Sequence, residues 1–335
     1  MIDKIMKNYE DIEKFKGKSI LVTGATGLIG STIVRYLSTA SKRKNLDIKV
    51  IAVARDIQKA KGFDFYNDVE WLIMDMTDEY KCESHVDYII HTASPTSSSY
   101  FITNPVETIN STVTGLNNIL RFASKKNIKG MVFTSSMEVY GICTEDKYLK
   151  EHEFYPIDCT NIRNSYAEGK KLLECLCISY GKEYNIPVRI VRLCQTFGAG
   201  VSPKDNRVFA QFARSVVSNE DIILSTKGET KRTYCSLADA TVGILTVLLN
   251  GCDNEAYNIA SSDSYYSIYE MAQKFVEGTN INILIHEKNN NMYLPTIKFG
   301  LDTTKIKEIG FKSMDTLDVM INELLDYFSV VEKNN

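Results

Sequence analysis

Tyr166 and Lys170 stand four residues apart in the run NSYAEGKK, inside a stretch of helical periodicity over residues 164–184. That spacing puts both side chains on one helix face. A lysine ammonium beside a phenol stabilises the phenolate, so the pair suits a tyrosine whose pKa, about 10 in water, is drawn toward a working value. Such a tyrosine exchanges a proton with an alcohol. A third group precedes it: Ser136, in SSMEVYG, follows an apolar run over residues 130–135 that reads as a strand. Ligands of open parallel sheets bind at the carboxyl ends of strands. Ser136 is therefore placed to hold the same oxygen by a hydrogen bond. Glu138, two residues on, adds a carboxylate that can serve as a base. On its own, Tyr-x-x-x-Lys is usually two side chains on a surface helix, so its weight comes from its surroundings.

The elements that must carry these groups begin with SILVTGATGLIG, residues 19–30. Residues 19–23 read as a short buried strand and a helical pattern opens by residues 31–37. Between them Gly24, Gly27 and Gly30 follow at three-residue spacing, with Thr26, Leu28 and Ile29 completing the turn. Strand, Gly-rich turn and helix start are the first crossover of a dinucleotide-binding fold. Gly24 permits the tight turn, Gly27 lets the backbone approach a pyrophosphate, and Gly30 lets the helix pack on the strand. The free N–H groups at the helix start then face the anion.

Residues 49–54 form a second strand, ending at Arg55 and Asp56, with Lys59 and Lys61 just beyond. An arginine there can pair bidentately with a 2′-phosphate, which leans the cofactor toward NADP. Asp56 could instead reach the ribose, so NAD stays open. A third strand, residues 69–74, runs into Asp75-Met76, where a carboxylate can accept the adenine amino group or cap the next turn. The fourth strand, residues 86–91, continues into Thr92, Ala93 and Ser94 along the same crevice. With a helix over residues 104–126 and a sixth strand at 188–194, the pattern is α/β. The expected architecture is a Rossmann-type, doubly wound parallel sheet with a smaller C-terminal α/β substrate lobe. The division expected is residues 1–194 for the dinucleotide domain, with 236–260 returning to it, and 195–235 with 261–335 for the substrate lobe. In the latter part the readable elements are helices at 207–217, 236–249, 267–277 and 314–328 and strands at 222–224 and 256–260, with a frayed end at VVEKNN.

Composition narrows the classes. The chain has 335 residues, 44% hydrophobic and 24% charged, with a net charge of −3, which gives no reason to expect nucleic acid or an anionic membrane as partner. No apolar run has transmembrane length. The first eighteen residues are charged throughout and read as a short helix, not a signal peptide. The eight cysteines are scattered without metal-ligand spacing, so no metal site is expected; reduced thiols and a cytoplasmic setting are.

In motif order and spacing, from Gly17 to Phe311, the chain resembles the extended short-chain dehydrogenases/reductases of the nucleotide-sugar epimerase/dehydratase type. TGATGLIG, Asp75-Met76, SSMEVYG, Tyr166/Lys170 and LDTTK…IGF carry the resemblance. Within that family it is most similar to UDP-glucuronate decarboxylases, through Ala93-Ser94-Pro95…Tyr100…Asn104-Pro105, Gln195-Thr196-Phe197-Gly198, Asn206-Arg207-Val208 and Lys231-Arg232-Thr233-Tyr234. The resemblance implies a nucleotide-diphosphate sugar substrate and hydride transfer at sugar C4 through a 4-keto species. It implies that Pro95, Tyr100, Gln195, Arg207 and Arg232 face the substrate, with Glu138 at the sugar ring. It also implies a homodimer through helices near residues 106–123 and 164–184. Met137 departs from the pattern: decarboxylases have a hydroxyl residue there and 4,6-dehydratases an aspartate that expels the 6-OH. Arg55 departs too, since the decarboxylases carry an acid there and retain NAD, and Ala199 and Gly200 occupy a region where their substrate loop has Arg and Pro. Epimerisation and decarboxylation remain open at this stage. So do an NADPH-dependent 4-ketosugar reductase, a reductase of non-sugar ketones, and, from another class, a catalytically idle dinucleotide sensor or scaffold. The intact Ser136, Tyr166 and Lys170 argue against the last.

Overall fold

The computed structural model describes residues 1–95, 98–287 and 296–333. Seven strands, β1 (Ser19–Thr23), β2 (Lys49–Ala54), β3 (Glu70–Ile73), β4 (Tyr88–His91), β5 (Gly130–Ser136), β7 (Val188–Leu193) and β11 (Ala256–Ile259), form one sheet. Its order is β11-β7-β5-β4-β1-β2-β3 and every pair is parallel. β1, β5 and β7 are buried along almost their whole length, as continuous Val/Ile/Leu-rich runs require when helices cover both faces. The chain steps outward from β1 to β3 and then returns to place β4 on the other side of β1. That reversal opens a crevice at the carboxyl ends of β1 and β4.

Helices α1 (Ile2–Asn8), α2 (Leu28–Lys44) and α8 (Leu237–Asn250) pack on one face. Helices α5 (Pro105–Ser124) and α6 (Ser165–Tyr184) pack on the other. Helix α8 is buried nearly all round, from Leu237 to Leu248, which is why its sequence is apolar on every side. The short α3 (Ile57–Lys61) and α4 (Ser98–Thr103) lie near the carboxyl edge. The helix expected over 104–126 starts at Pro105, whose fixed φ suits a first helical position, and α4 precedes it as a separate turn.

A second sheet joins β6 (Lys147–Leu149), β8 (Gln195–Phe197), β10 (Lys231–Ser236), β12 (Tyr265–Ser267) and β14 (Lys298–Leu301). The first half of β10 pairs with β12 and β14, and its second half with β8. A two-stranded piece, β9 (Ile222–Leu224) and β13 (Ile283–Ile285), stands apart. Helices α7 (Val208–Val217), α9 (Ile268–Val276) and α11 (Leu317–Lys333) enclose a separate core around Phe197, Phe209 and Phe275, and α10 (Thr304–Glu308) packs near β11. Of these strands the sequence announces only β9, because the others are mostly three or four residues long and too short to show alternation. β6 lies within residues 1–194 yet pairs with β14. The expected frayed end is instead helical through Lys333, and Asn334 and Asn335 lie outside the described residues. No helix among the described residues is long and apolar enough to cross a membrane.

The α2–β1 contact sets the crevice. A Cβ on Gly30 would stand 2.2 Å from the Gly24 carbonyl oxygen, whereas one on Gly27 would meet that oxygen at 3.2 Å. Gly30→Ala is therefore expected to push α2 off β1 and lower stability by roughly 1–3 kcal/mol. Gly27→Ala is expected to keep its melting temperature but lose affinity for a dinucleotide. Thermal melts paired with dinucleotide titrations check both, and identical behaviour of the two variants would contradict the assignment.

Candidate active site

The Gly-rich turn has the shape of a pyrophosphate cradle. Gly24 has φ +66°, and a Cβ there would meet the Ala93 amide nitrogen and Thr92 Oγ1 at 2.9 Å. Gly27 opens α2, and no side chain caps that helix start. The amides of Leu28 and Ile29 are thus left for an anion, with Thr26 half-buried in the turn. The tip of β4 is tied to β1: Thr92 Oγ1 donates to the Thr23 carbonyl at 2.7 Å, and the Ala93 amide donates to Thr23 Oγ1 at 3.3 Å. Ser94 Oγ donates to the Pro95 carbonyl at 3.2 Å. An uncapped helix start over a cradle that a Cβ would fill fits a dinucleotide.

At the adenosine end, Arg55 is 80% exposed, with Nη1 3.9 Å from Asp75 Oδ2. Asp56 Oδ1 is taken up capping α3, accepting from the Gln58 and Lys59 amides at 2.8 and 3.2 Å. Asp75 accepts from the Thr77 amide and hydroxyl at 2.9 and 2.7 Å, and the amide bond above all holds its carboxyl below the usual range. Asp75 thus caps a turn, with its Oδ2 toward Arg55. Met76 packs against Gly115 of α5.

The proton-handling residues meet where β5 ends. Ser136 closes the strand, and its Oγ accepts from the Glu138 amide at 3.3 Å, starting a 3-10 turn over Met137–Tyr140. Lys170 Nζ reaches down from α6 to donate to the Thr134 carbonyl at 2.9 Å. It lies 4.8 Å over the Phe133 ring and 5.7 Å over that of Tyr166. Burial draws the Lys170 amine down to about 8, with Glu174 and then Cys177 resisting. The expected lowering of Tyr166 is not met in the protein alone. Burial first, then the charge of Glu138, push its phenol above the ordinary value, while a Ser136 hydrogen bond and Arg207 pull the other way. Glu138 is open to solvent at the cleft but surrounded by protein. That confinement raises its carboxyl, against the opposing charges of Arg232 and Arg163.

The substrate side is partly as expected. Arg232 on β10 and Arg207 at the start of α7 both act on this cluster. Arg207 is not free: Nε and Nη2 clamp the Asp205 carboxylate at 2.6–3.1 Å, with the guanidinium 4.7 Å over Phe209. Gln195 lies opposite Tyr234 in the β8–β10 pair. Gln195 Oε1, the Tyr234 hydroxyl, Arg163 Nε and Ser165 Oγ are buried without a partner. Buried polar atoms seldom stay unpaired; further such atoms lie elsewhere in the fold, among them the Tyr9, Tyr36 and Tyr80 hydroxyls. Tyr100 is exposed; its neighbour Phe101 is the one that stacks on Tyr166, centroids 4.4 Å apart and planes within 9°. Arg163, Phe101 and Glu174 escaped the sequence reading, although Arg163 and Glu174 flank the Tyr-Lys pair in the chain. A separate cavity of about 540 Å³ opens on another flank of α6, against Ile190, Ala256 and Asn254, away from the Ser136–Tyr166 cluster.

The profile of the NAD dependent epimerase/dehydratase family matches residues 20–260. The chain belongs to that family. It is 29% identical over 294 residues to UDP-glucuronic acid decarboxylase 5 of Arabidopsis thaliana, covering 87% of this chain and 83% of that protein. It is 25% identical over 321 residues to UDP-glucuronic acid decarboxylase 1 of Danio rerio, covering 93% and 73%. Among solved structures, UDP-glucose 4-epimerase of Thermotoga maritima superposes with a TM-score of 0.79 at 21% identity, covering 94% of this chain and 99% of that one. UDP-glucuronic acid 4-epimerase of Bacillus cereus, solved with NAD, gives 0.76 at 18%, covering 95% and 98%. As a member of this NAD-dependent epimerase/dehydratase family, the chain is an NAD(P)-dependent enzyme of the nucleotide-sugar epimerase, dehydratase and decarboxylase type.

His91 backs this site. Its Nδ1 lies 2.8 Å from Thr23 Oγ1, and burial, with the Lys170 charge adding, draws it from 6.5 to about 3. The folded pKa lies below the unfolded one, so between those values the unfolded chain holds a proton that the folded chain refuses. Stability contributed by this group is then present above that window and is lost, by about 1.4 kcal/mol per unit, as the pH is lowered through it. His91→Asn should be less stable at pH 7 yet lose less stability on going to pH 5, by about one proton's slope. Urea denaturation at the two pH values measures it, and parallel losses would mean that His91 titrates normally.

Proposed function

We propose that this enzyme oxidises a nucleoside-diphosphate sugar at C4 and that a hexuronate substrate loses its carboxyl group from the resulting 4-keto species. Met137 carries this reading. It is 3% exposed and packed into the core between Ser136 and Glu138, so no acid stands there to expel a 6-hydroxyl, and 4,6-dehydration is disfavoured. A C4 ketone places the C6 carboxylate in a β-keto acid, which releases CO2 without an acid at that position. The similarity to UDP-glucuronic acid decarboxylases supports the same choice.

A nicotinamide dinucleotide bound on the Gly24–Gly30 turn supplies the hydride acceptor for C4 and afterwards the donor. Tyr166 takes the 4-OH proton, Ser136 holds that oxygen, and Lys170 favours the phenolate. Glu138 would return a proton to C5 once the carboxylate has gone. Arg207 and Arg232 suit the diphosphate. Phe101 covers the Tyr166 ring and keeps bulk water from the phenol. Outside the site, α5 and α6 expose Val106 (62%), Ile109, Leu172 (51%) and Tyr184 on their outer faces, which fits a homodimer built on these two helices.

The second reading is an NADPH-dependent 4-ketosugar-nucleotide reductase. Arg55 favours it, exposed at the tip of β2 where an acid would bind a ribose hydroxyl.

Two experiments decide. With UDP-glucuronate, the wild-type protein is expected to release CO2 and a UDP-pentose. Tyr166→Phe should lower turnover by about 10²–10⁴-fold while still binding dinucleotide. Formation of a UDP-hexuronate epimer without CO2 would leave C4 oxidation standing and sink decarboxylation. Separately, the dinucleotide released on denaturation identifies the cofactor. If Arg55 holds a 2′-phosphate, Arg55→Ala should weaken NADP binding by about tenfold or more, with NAD nearly unchanged. Equal losses for both would remove that role.

A further inference from the structure

The proton-handling residues ride on two different elements. Ser136 and Glu138 belong to the end of β5 and its 3-10 turn, while Tyr166 and Lys170 belong to α6. One side chain bonds to both. Arg192 on β7 donates from Nε and Nη2 to Glu174 Oε1 and Oε2 at 3.0 and 2.7 Å. Its Nη1 donates to the Tyr140 hydroxyl at 3.0 Å and to the Glu151 carbonyl at 2.7 Å. Tyr140 closes the turn that holds Glu138, and its own hydroxyl donates to Asn258 Oδ1 at 2.6 Å. Glu174 sits one helical turn beyond Lys170. The guanidinium also lies 4.8 and 4.9 Å from the Tyr140 and Phe154 ring centres.

This pair is largely buried: the Arg192 and Glu174 side chains are 5% and 11% exposed, at the wall of the cavity of about 540 Å³ beside α6. A buried ion pair of this kind adds little net stability over an apolar pair, but it fixes geometry when every donor is satisfied. The fork–fork pairing fixes both distance and angle. A one-turn slide of α6, or a rotation of the 3-10 turn, would break at least two of these bonds.

We propose that Arg192 and Glu174 form a clasp that registers α6 against the turn at the end of β5 and so positions Tyr166 and Lys170 against Ser136 and Glu138. Both are positioning residues; neither needs to touch substrate. Around Lys170, β4 contributes His91, neutral at working pH, and β5 contributes the Thr134 carbonyl. α6 contributes Tyr166, Cys177 and Glu174, and β7 contributes Arg192, whose charge is paired with Glu174. Of these groups Glu174 is the carboxylate, and its charge, partly offset by Arg192, opposes the cost of burying the ammonium.

The proposal rests on the proton-transfer reading of the site, but its first test needs no substrate. In protein labelled at the lysine ζ-nitrogen with ¹⁵N, the Lys170 resonance is assigned by its absence from Lys170→Arg and followed with pH. Glu174→Gln keeps the shape and a hydrogen bond to Arg192 but removes the charge. The Lys170 midpoint should fall by about one pH unit. An unchanged midpoint in the folded variant overturns the proposal. If Glu174→Gln does not fold, Glu174→Asp retracts the charge by one methylene; a smaller fall supports the clasp, and no fall overturns it. A second arm uses turnover. Arg192→Lys keeps the charge but loses the fork, so kcat should drop by about tenfold or more with KM nearly unchanged. A loss confined to KM would mean that Arg192 serves substrate binding instead. If UDP-glucuronate is not a substrate, the turnover arm fails with that reading while the titration still stands by itself.

Discussion

The site is built around an ammonium group with no carboxylate at salt-bridge distance among the described residues. Lys170 Nζ is held by one backbone carbonyl, over one aromatic ring, beside a neutral histidine. A charge in such a place is costly unless something favours it. The parallel sheet supplies the Thr134 carbonyl at a fixed height, because β5 is bonded on both sides, to β4 and β7. Helix α6 supplies the reach, and Glu174 supplies the opposing charge one turn away. Each of these depends on the sheet order, so the amine's usable pKa is a property of the whole β4-β5-β7 centre and not of the Tyr-Lys spacing alone.

That dependence explains what the sequence could and could not convey. The β1–turn–α2 crossover was legible, with β1 matched and α2 starting three residues earlier than read, since Gly24 and Gly30 each answer to a local steric demand. Ser136, Tyr166 and Lys170 were legible because strand end and helix face follow from short-range periodicity. The second sheet was not, since strands such as Tyr265–Ser267 are held by partners distant in the chain and not by their own pattern. The stacking of Phe101 on Tyr166 was not legible, because only the local turn of α4 decides which of two adjacent rings meets Tyr166. Without a cofactor, the Tyr166 pKa is set by the cost of burial and the charge of Glu138. Neither can be read without knowing that the two side chains share one cleft.

The arginines show the same tension between local and distant partners. Arg207 has its fork already filled by Asp205, two residues away. Any anion that reaches it must share or displace that carboxylate, and exchange of one charge-assisted pair for another releases less free energy than filling an empty fork. Arg163 is the reverse case: its Nε is buried and unpaired, and any acceptor that reaches it removes an existing penalty.

Tyr166 brings these terms together. In the protein alone, its phenol is held neutral by burial and by Glu138, while Glu138 is itself pushed toward its neutral form. Glu138 already has its own cations, since Arg232 and Arg163 pull its carboxyl back toward the ionised form. Tyr166 has a Ser136 hydrogen bond and the charge of Arg207 against burial and Glu138. The two side chains therefore do not ionise independently: a charged Glu138 is one of the things that keeps the proton on the Tyr166 phenol.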